Sequence, residues 1–150
     1  MKTKFLSLTM IVIMAITSIS CSNDDSSSSS NPPPTTAGNG FTWTINGATA
    51  SKNTTVANYN LQGTALNIFA TQTGTVFEIN LTGSTSGTYN LVGGNALYYN
   101  FSATENLTNP TSGSVTITSF ANNKASGTFT AAGTGVGVTS ISGTFTNIGL

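Results

Sequence analysis

From Phe41 onward, apolar and polar residues alternate one for one. Phe41, Trp43 and Ile45 alternate with Thr42 and Thr44; Phe77, Ile79 and Leu81 with Glu78 and Asn80; Leu97, Tyr99 and Phe101 with Tyr98 and Asn100; Val115 and Ile117 with Thr116 and Thr118. A period of two sends successive side chains to opposite faces of an extended strand, so one face packs on a core and the other meets water. No stretch spaces its apolar residues three and four apart for long enough to make a helix, so no substantial helix is predicted. Turn signals separate the runs at Asn46-Gly47, Gly74, Gly83, Gly93-Gly94, Asn109-Pro110 and Asn122-Asn123. The predicted strands are 41–46, 48–52, 56–60, 64–71, 75–82, 87–91, 96–103, 113–120, 125–131 and 138–147. Short strands at this spacing predict an all-β domain over 41–150, an antiparallel β-sandwich with a small antiparallel β-barrel as the alternative.

A short motif recurs within these runs: Ser86-Gly87-Thr88-Tyr89, Ser126-Gly127-Thr128-Phe129 and Ser142-Gly143-Thr144-Phe145. Its spacing is uneven, which excludes a solenoid. Within each copy the glycine leaves room for a neighbouring aromatic, the Thr faces out and the aromatic faces in. Thr-x-Thr pairs also recur, at 42/44, 71/73/75, 116/118, 128/130 and 144/146. Their irregular spacing reads as Thr serving as a β-former on a solvent face, not as the regular ladder of an ice-binding surface.

The first 40 residues are of a different kind. Lys2 and Lys4 precede an apolar run from Phe5 to Ile16, and small residues lead to Cys21, the only cysteine. This is the pattern of a secretory signal, too short to span a membrane. Ser18-Ile19-Ser20-Cys21 resembles a lipobox, although Ser replaces the usual Leu three positions before the cysteine. The expected organisation is a lipoprotein signal peptide (1–20), a lipidated Cys21 opening a Ser- and Pro-rich tether (21–40), and the β domain (41–150). Several acyl chains, each contributing about 0.8 kcal/mol per buried CH₂, would hold Cys21 in the membrane permanently. Asp24 and Asp25, just after the cysteine, resemble the acidic export signal of surface lipoproteins of the Bacteroidota type. That implies an outer-membrane, surface-facing location.

The domain is similar to that of small Bacteroidota lipoproteins whose β-rich domain has no known function. The resemblance rests on Phe41-Thr-Trp-Thr-Ile-Asn-Gly, Gly87-Thr-Tyr-Asn-Leu, Gly113-Ser-Val-Thr-Ile-Thr-Ser-Phe and Ser142-Gly-Thr-Phe-Thr, in that order. It implies an exported β domain and carries over no catalytic residue.

Composition narrows the chemistry. Charged residues are 5% of the chain, there is no His, and all four basic residues are lysines. No basic patch exists to neutralise phosphates, which argues against nucleic acid as a partner. Without His there is no Ser–His–Asp or Cys–His site, and no His/Cys zinc site. Glu78 and Glu105 are the domain's only carboxylates and read as two solvated surface acids, so no catalytic, cofactor or metal site is expected. Trp43 and Tyr89 fall on the apolar parity of their strands and are assigned to the core. Tyr98 has the opposite parity to Tyr99 and is the candidate ligand contact, since an exposed tyrosine offers a flat apolar face with a polar tip. The expectation is a non-enzymatic surface protein that binds or adheres, to glycan or to an envelope protein. The alternative is a structural envelope component or accessory subunit of an outer-membrane complex. Cys21→Ser should abolish labelling by an alkyne fatty acid and leave the precursor uncut or release the domain in soluble form; equal labelling of both forms would refute the lipid anchor.

Overall fold

The computed structural model describes residues 39–150; the apolar leader, Cys21, Asp24, Asp25 and most of the tether lie outside the described residues. The alternating runs become ten strands: β1 (Gly40–Ile45), β2 (Lys52–Thr54), β3 (Val56–Gln62), β4 (Ala65–Thr71), β5 (Thr75–Leu81), β6 (Gly87–Asn90), β7 (Ala96–Ser102), β8 (Glu105–Ala121), β9 (Lys124–Val136) and β10 (Ser140–Gly149). The described residues are all-β, without a helix.

All ten strands belong to one sheet. Seven of them close a ring, β3-β4-β5-β7-β8-β9-β10 and back to β3. The closing pair, Gly149 with Asn58, is parallel, so the barrel is mixed. The expected sandwich of two sheets is not what forms; the alternative, a barrel, matches except in this one contact. Sandwich and barrel strands both show one inward and one outward face, so alternation alone does not separate them. Length and bulges do. The β8–β9 ladder carries three register shifts, and each such shift bends and twists a strand. Two long, coiled strands can therefore carry the sheet around on itself, and closure removes exposed edges. β1 and β6 then lie outside the ring path: β1 pairs β10 along Gly40–Ile45, and β6 pairs β8 along Ser114–Ile117.

Two local expectations are corrected. Asn109-Pro110 is not a turn, because β8 runs through it. Pro110 lies where register shifts interrupt the ladder, a position that tolerates a missing N–H. The strand expected at 48–52 starts only at Lys52. Asn46 and Gly47 do adopt positive φ, 51° and 68°, and the Ala48 N–H donates to the Ile45 carbonyl at 2.9 Å. The Asn46 side chain, however, binds the segment entering β10. Its Oδ1 accepts from Thr139 N at 2.8 Å, and its Nδ2 donates to the Gly137 carbonyl at 2.8 Å. Asn122-Asn123 behaves as read: both take positive φ, 53° and 56°, in the two-residue turn between β8 and β9.

The inward residues form one core dominated by rings. Phe77 lies 4.7 Å from Phe41, 4.8 Å from Tyr99, 5.2 Å from Trp43 and 5.3 Å from Phe129, centroid to centroid. The repeated motif explains how so many rings fit. On β9 and β10 its two copies pair antiparallel, so that Gly127 faces Phe145 and Phe129 faces Gly143. Each phenylalanine rests on the glycine opposite. A Cβ on Gly127 would collide with the Thr116 carbonyl and the Phe145 ring, and one on Gly143 with the Thr42 carbonyl and the Phe129 ring.

The same register gathers the outward threonines. Thr88, Thr116, Thr128, Thr144 and Thr42 form one row across β6, β8, β9, β10 and β1, beside a second row of Asn90, Ser114, Thr130, Ser142 and Thr44. Spacing that is irregular in sequence is thus regular in space. Hydroxyls within the rows partly satisfy one another, as in Thr88–Thr116 and Thr44–Ser142, each 3.0 Å.

Alanine normally favours a strand over glycine by about 0.5–1 kcal/mol. Gly143→Ala should do the reverse and destabilise by about 1–3 kcal/mol through overpacking, lowering Tm by about 4–8 °C per kcal/mol. Thr144→Ala, on the outer face, should stay within about 0.5 kcal/mol. Thermal melts of the purified variants check the difference in sign.

Candidate functional site

The outer face of β3, β4, β5 and β7 carries the most distinctive set of outward side chains, of which Asn58, Asn60 and Tyr98 are exposed and Asn67, Phe69, Glu78 and Asn80 half-buried. Along β4, Leu66, Ile68 and Ala70 point into the core, so Asn67 and Phe69 point out. Along β5, Phe77, Ile79 and Leu81 point in, and Glu78 and Asn80 point out. Tyr98 of β7 is 43% exposed, whereas Tyr99 is fully buried; the sequence reading of this pair is correct.

Strand register turns these positions into rows. Asn58 pairs with Phe69, Phe69 with Glu78, and Glu78 with Tyr98. In the next row Asn60 pairs with Asn67, Asn67 with Asn80, and Asn80 with Ala96. Neighbouring strands are about 4.8 Å apart, so Phe69 and Tyr98 stand on either side of Glu78, two strands from each other. Asn80 Nδ2 donates to Glu78 Oε1 at 3.0 Å, and Asn67 Nδ2 donates to Asn60 Oδ1 at 2.9 Å. The result is an aromatic–carboxylate–aromatic row bordered by amides that are already partly oriented. Phe69 escaped the sequence reading, although its signal was there: it is the one large apolar residue on the polar parity of its strand.

A second polar cluster is built around an inward-facing acid. Glu105, the first residue of β8, shares the inward parity of buried Leu107. It is not the freely solvated acid expected from the sequence. Its Oε1 accepts from Lys52 Nζ at 2.5 Å and from the Tyr99 hydroxyl, which in turn accepts from Trp43 Nε1 at 3.3 Å. Lys52 also lies 4.2 Å from the centroid of the Phe101 ring. Partial burial pushes the Glu105 carboxyl up, but the hydrogen bonds from Lys52 and Tyr99 and the lysine charge outweigh it, and the net shift is downward. Burial, and then the bond to Glu105, hold the Tyr99 hydroxyl well above the ordinary tyrosine range. Beside this cluster, Thr73, Val76, Asn100, Phe101 and Ser102 line a groove of about 430 Å³.

Tyr89, assigned to the core, is half-buried against it, and its hydroxyl donates to the Thr85 carbonyl at 2.8 Å. Trp43 is buried as expected. Among the described residues no three His, Cys, Asp or Glu side chains are grouped to hold a metal. Comparison with protein-family models, with curated proteins and with solved structures found no match to this chain.

The depressed carboxyl of Glu105 fixes a sign. A group whose pKa is lower in the folded state contributes stability above its unfolded value and loses it as pH falls through the folded value. The domain should therefore lose stability as pH drops below about 4.5, the ordinary value for Glu. Tm measured against pH should fall less steeply in that range for Glu105→Gln than for wild type. At neutral pH Lys52→Ala should cost only about 1 kcal/mol, because the pair is partly exposed.

Proposed function

We propose that this chain is a lipid-anchored, outer-membrane protein of the cell surface, non-enzymatic, whose barrel binds glycan on the outer face of β3, β4, β5 and β7. The anchor and its outward export signal rest on Cys21, Asp24 and Asp25 and on the resemblance to small Bacteroidota lipoproteins. The observation that carries the binding reading is the row Phe69–Glu78–Tyr98 with its border of Asn60, Asn67 and Asn80.

Sugar rings have apolar faces that stack on aromatic side chains and hydroxyl rims that need hydrogen-bonding partners. Phe69 and Tyr98 supply the first, while Glu78 and the asparagines supply the second. Hydrogen bonds among the side chains limit the ordering cost on binding.

The non-enzymatic reading is supported by the two carboxylates. Glu78 is on the outer face of β5, whereas Glu105 faces inward and bonds to buried Tyr99. Glycoside hydrolysis needs two carboxyl groups facing one bond, about 5–9.5 Å apart; these two are turned to opposite sides of the barrel wall.

In a glycan array, wild type should bind at least one polysaccharide or oligosaccharide class. Tyr98→Ala and Phe69→Ala should each weaken binding roughly tenfold, the loss of about 1–1.5 kcal/mol of stacking, while far-UV circular dichroism stays unchanged. Binding that survives both substitutions would remove this face from consideration.

A further inference from the structure

Among the described residues, Glu78 differs from Glu105 in having no cationic partner. Four charged side chains lie among the described residues, Lys52, Glu78, Glu105 and Lys124. Lys52 and Glu105 are spent on each other. Lys124 is the closest lysine along the row that holds Glu78, and four strand steps separate them: Lys124 pairs with Gly149, Gly149 with Asn58, Asn58 with Phe69 and Phe69 with Glu78. The two stand on different walls of the closed barrel, and no salt bridge joins them. The face therefore presents one uncompensated negative charge. Asn80 donates to it, but an amide hydrogen bond leaves the charge in place.

That charge sits between two aromatic side chains, one strand from each. A cation near an aromatic ring is attracted by the ring's negative face, and register places Phe69 and Tyr98 on the two strands that flank Glu78. A carboxylate is an acceptor only. It rewards a ligand that brings donors, most of all a charged one, and it repels a ligand that brings carboxylates of its own.

We infer that the row Phe69–Glu78–Tyr98 selects a cationic glycan, one whose sugar units carry a free primary ammonium, over neutral and uronic-acid glycans. The inference rests on the glycan-binding reading of this face and names its substrate class. The sugar rings stack on Phe69 and Tyr98, and the ammonium of a unit between them donates to Glu78. Asn60 and Asn67 face the hydroxyls of the same chain.

The probes are the tetramer of glucosamine, its fully N-acetylated form and a tetramer of galacturonate, titrated calorimetrically into the purified protein at mildly acidic pH. Wild type should bind the glucosamine tetramer about tenfold more tightly than the N-acetylated one, the gain of one exposed ion pair with cation–π support. It should not bind the galacturonate tetramer measurably. Glu78→Gln should bring the glucosamine and N-acetylated tetramers to the same affinity. Equal wild-type affinities for these two, or a preference that persists in Glu78→Gln, would overturn the inference and leave the glycan reading standing. Failure to bind any of the three, with no signal on a wider array, would remove both. A tetralysine peptide bound as tightly as the glucosamine tetramer would show that the ammonium alone is recognised, and would overturn the assignment to an amino sugar.

Discussion

Phe77 makes the interaction on which the rest of the structure depends. It projects from β5 and meets Phe41 and Trp43 of β1, Tyr99 of β7 and Phe129 of β9. It therefore ties one side of the ring to the other. Apolar burial drives folding in proportion to area removed from water, and aromatic side chains bury the most. In a small barrel with few charges and many threonines, this cluster is where that area is concentrated. The tilted and edge-to-face angles among its rings are those that aromatic quadrupoles favour.

Room for the cluster comes from glycine. The two motif copies on β9 and β10 exchange a glycine for a phenylalanine across the ladder, each ring covering the other strand's bare backbone. Glycine is a weak strand residue because it has no side chain to pack; a ring from the facing strand supplies the missing contact. Parity does the rest. With Gly and Phe inward, the intervening Thr must face out, and the pairing then sets Thr128 directly opposite Thr144. One packing arrangement thus fixes both the filled interior and the hydroxyl-lined exterior of that wall.

The wall across the barrel has a different exterior for the same kind of reason. Leu66, Ile68, Phe77, Ile79 and Leu97 fill the interior, which leaves Phe69, Glu78 and Tyr98 with nowhere to point but outward. Phe69 is half-buried there, and Glu78 takes a hydrogen bond from Asn80 but, among the described residues, no salt bridge. Glu105, in contrast, is held by Lys52 and Tyr99. The two acids differ in surroundings, one tied into the barrel's polar network and one on its outer face, because they lie on opposite sides of the wall.

The period-two pattern was enough to place most strands, to exclude helix and to send Tyr99 inward and Tyr98 outward, because side-chain direction in a strand follows from sequence position alone. Other features depend on which strand lies beside which, and no local signal carries that. The ring closure between Gly149 and Asn58, the reciprocal packing of Gly127 with Phe145, and the alignment of five threonines from five strands all require pairing between distant segments. Glu105 looked solvated because Lys52, its partner, is 53 residues away in the chain. Phe69 was readable as an apolar residue on a polar parity, but its meaning came only when register set it beside Glu78, and Glu78 beside Tyr98. Sequence determines the face on which a side chain stands, since the pleat alternates at every residue; tertiary structure alone decides its neighbours on that face, since long-range pairing sets the register.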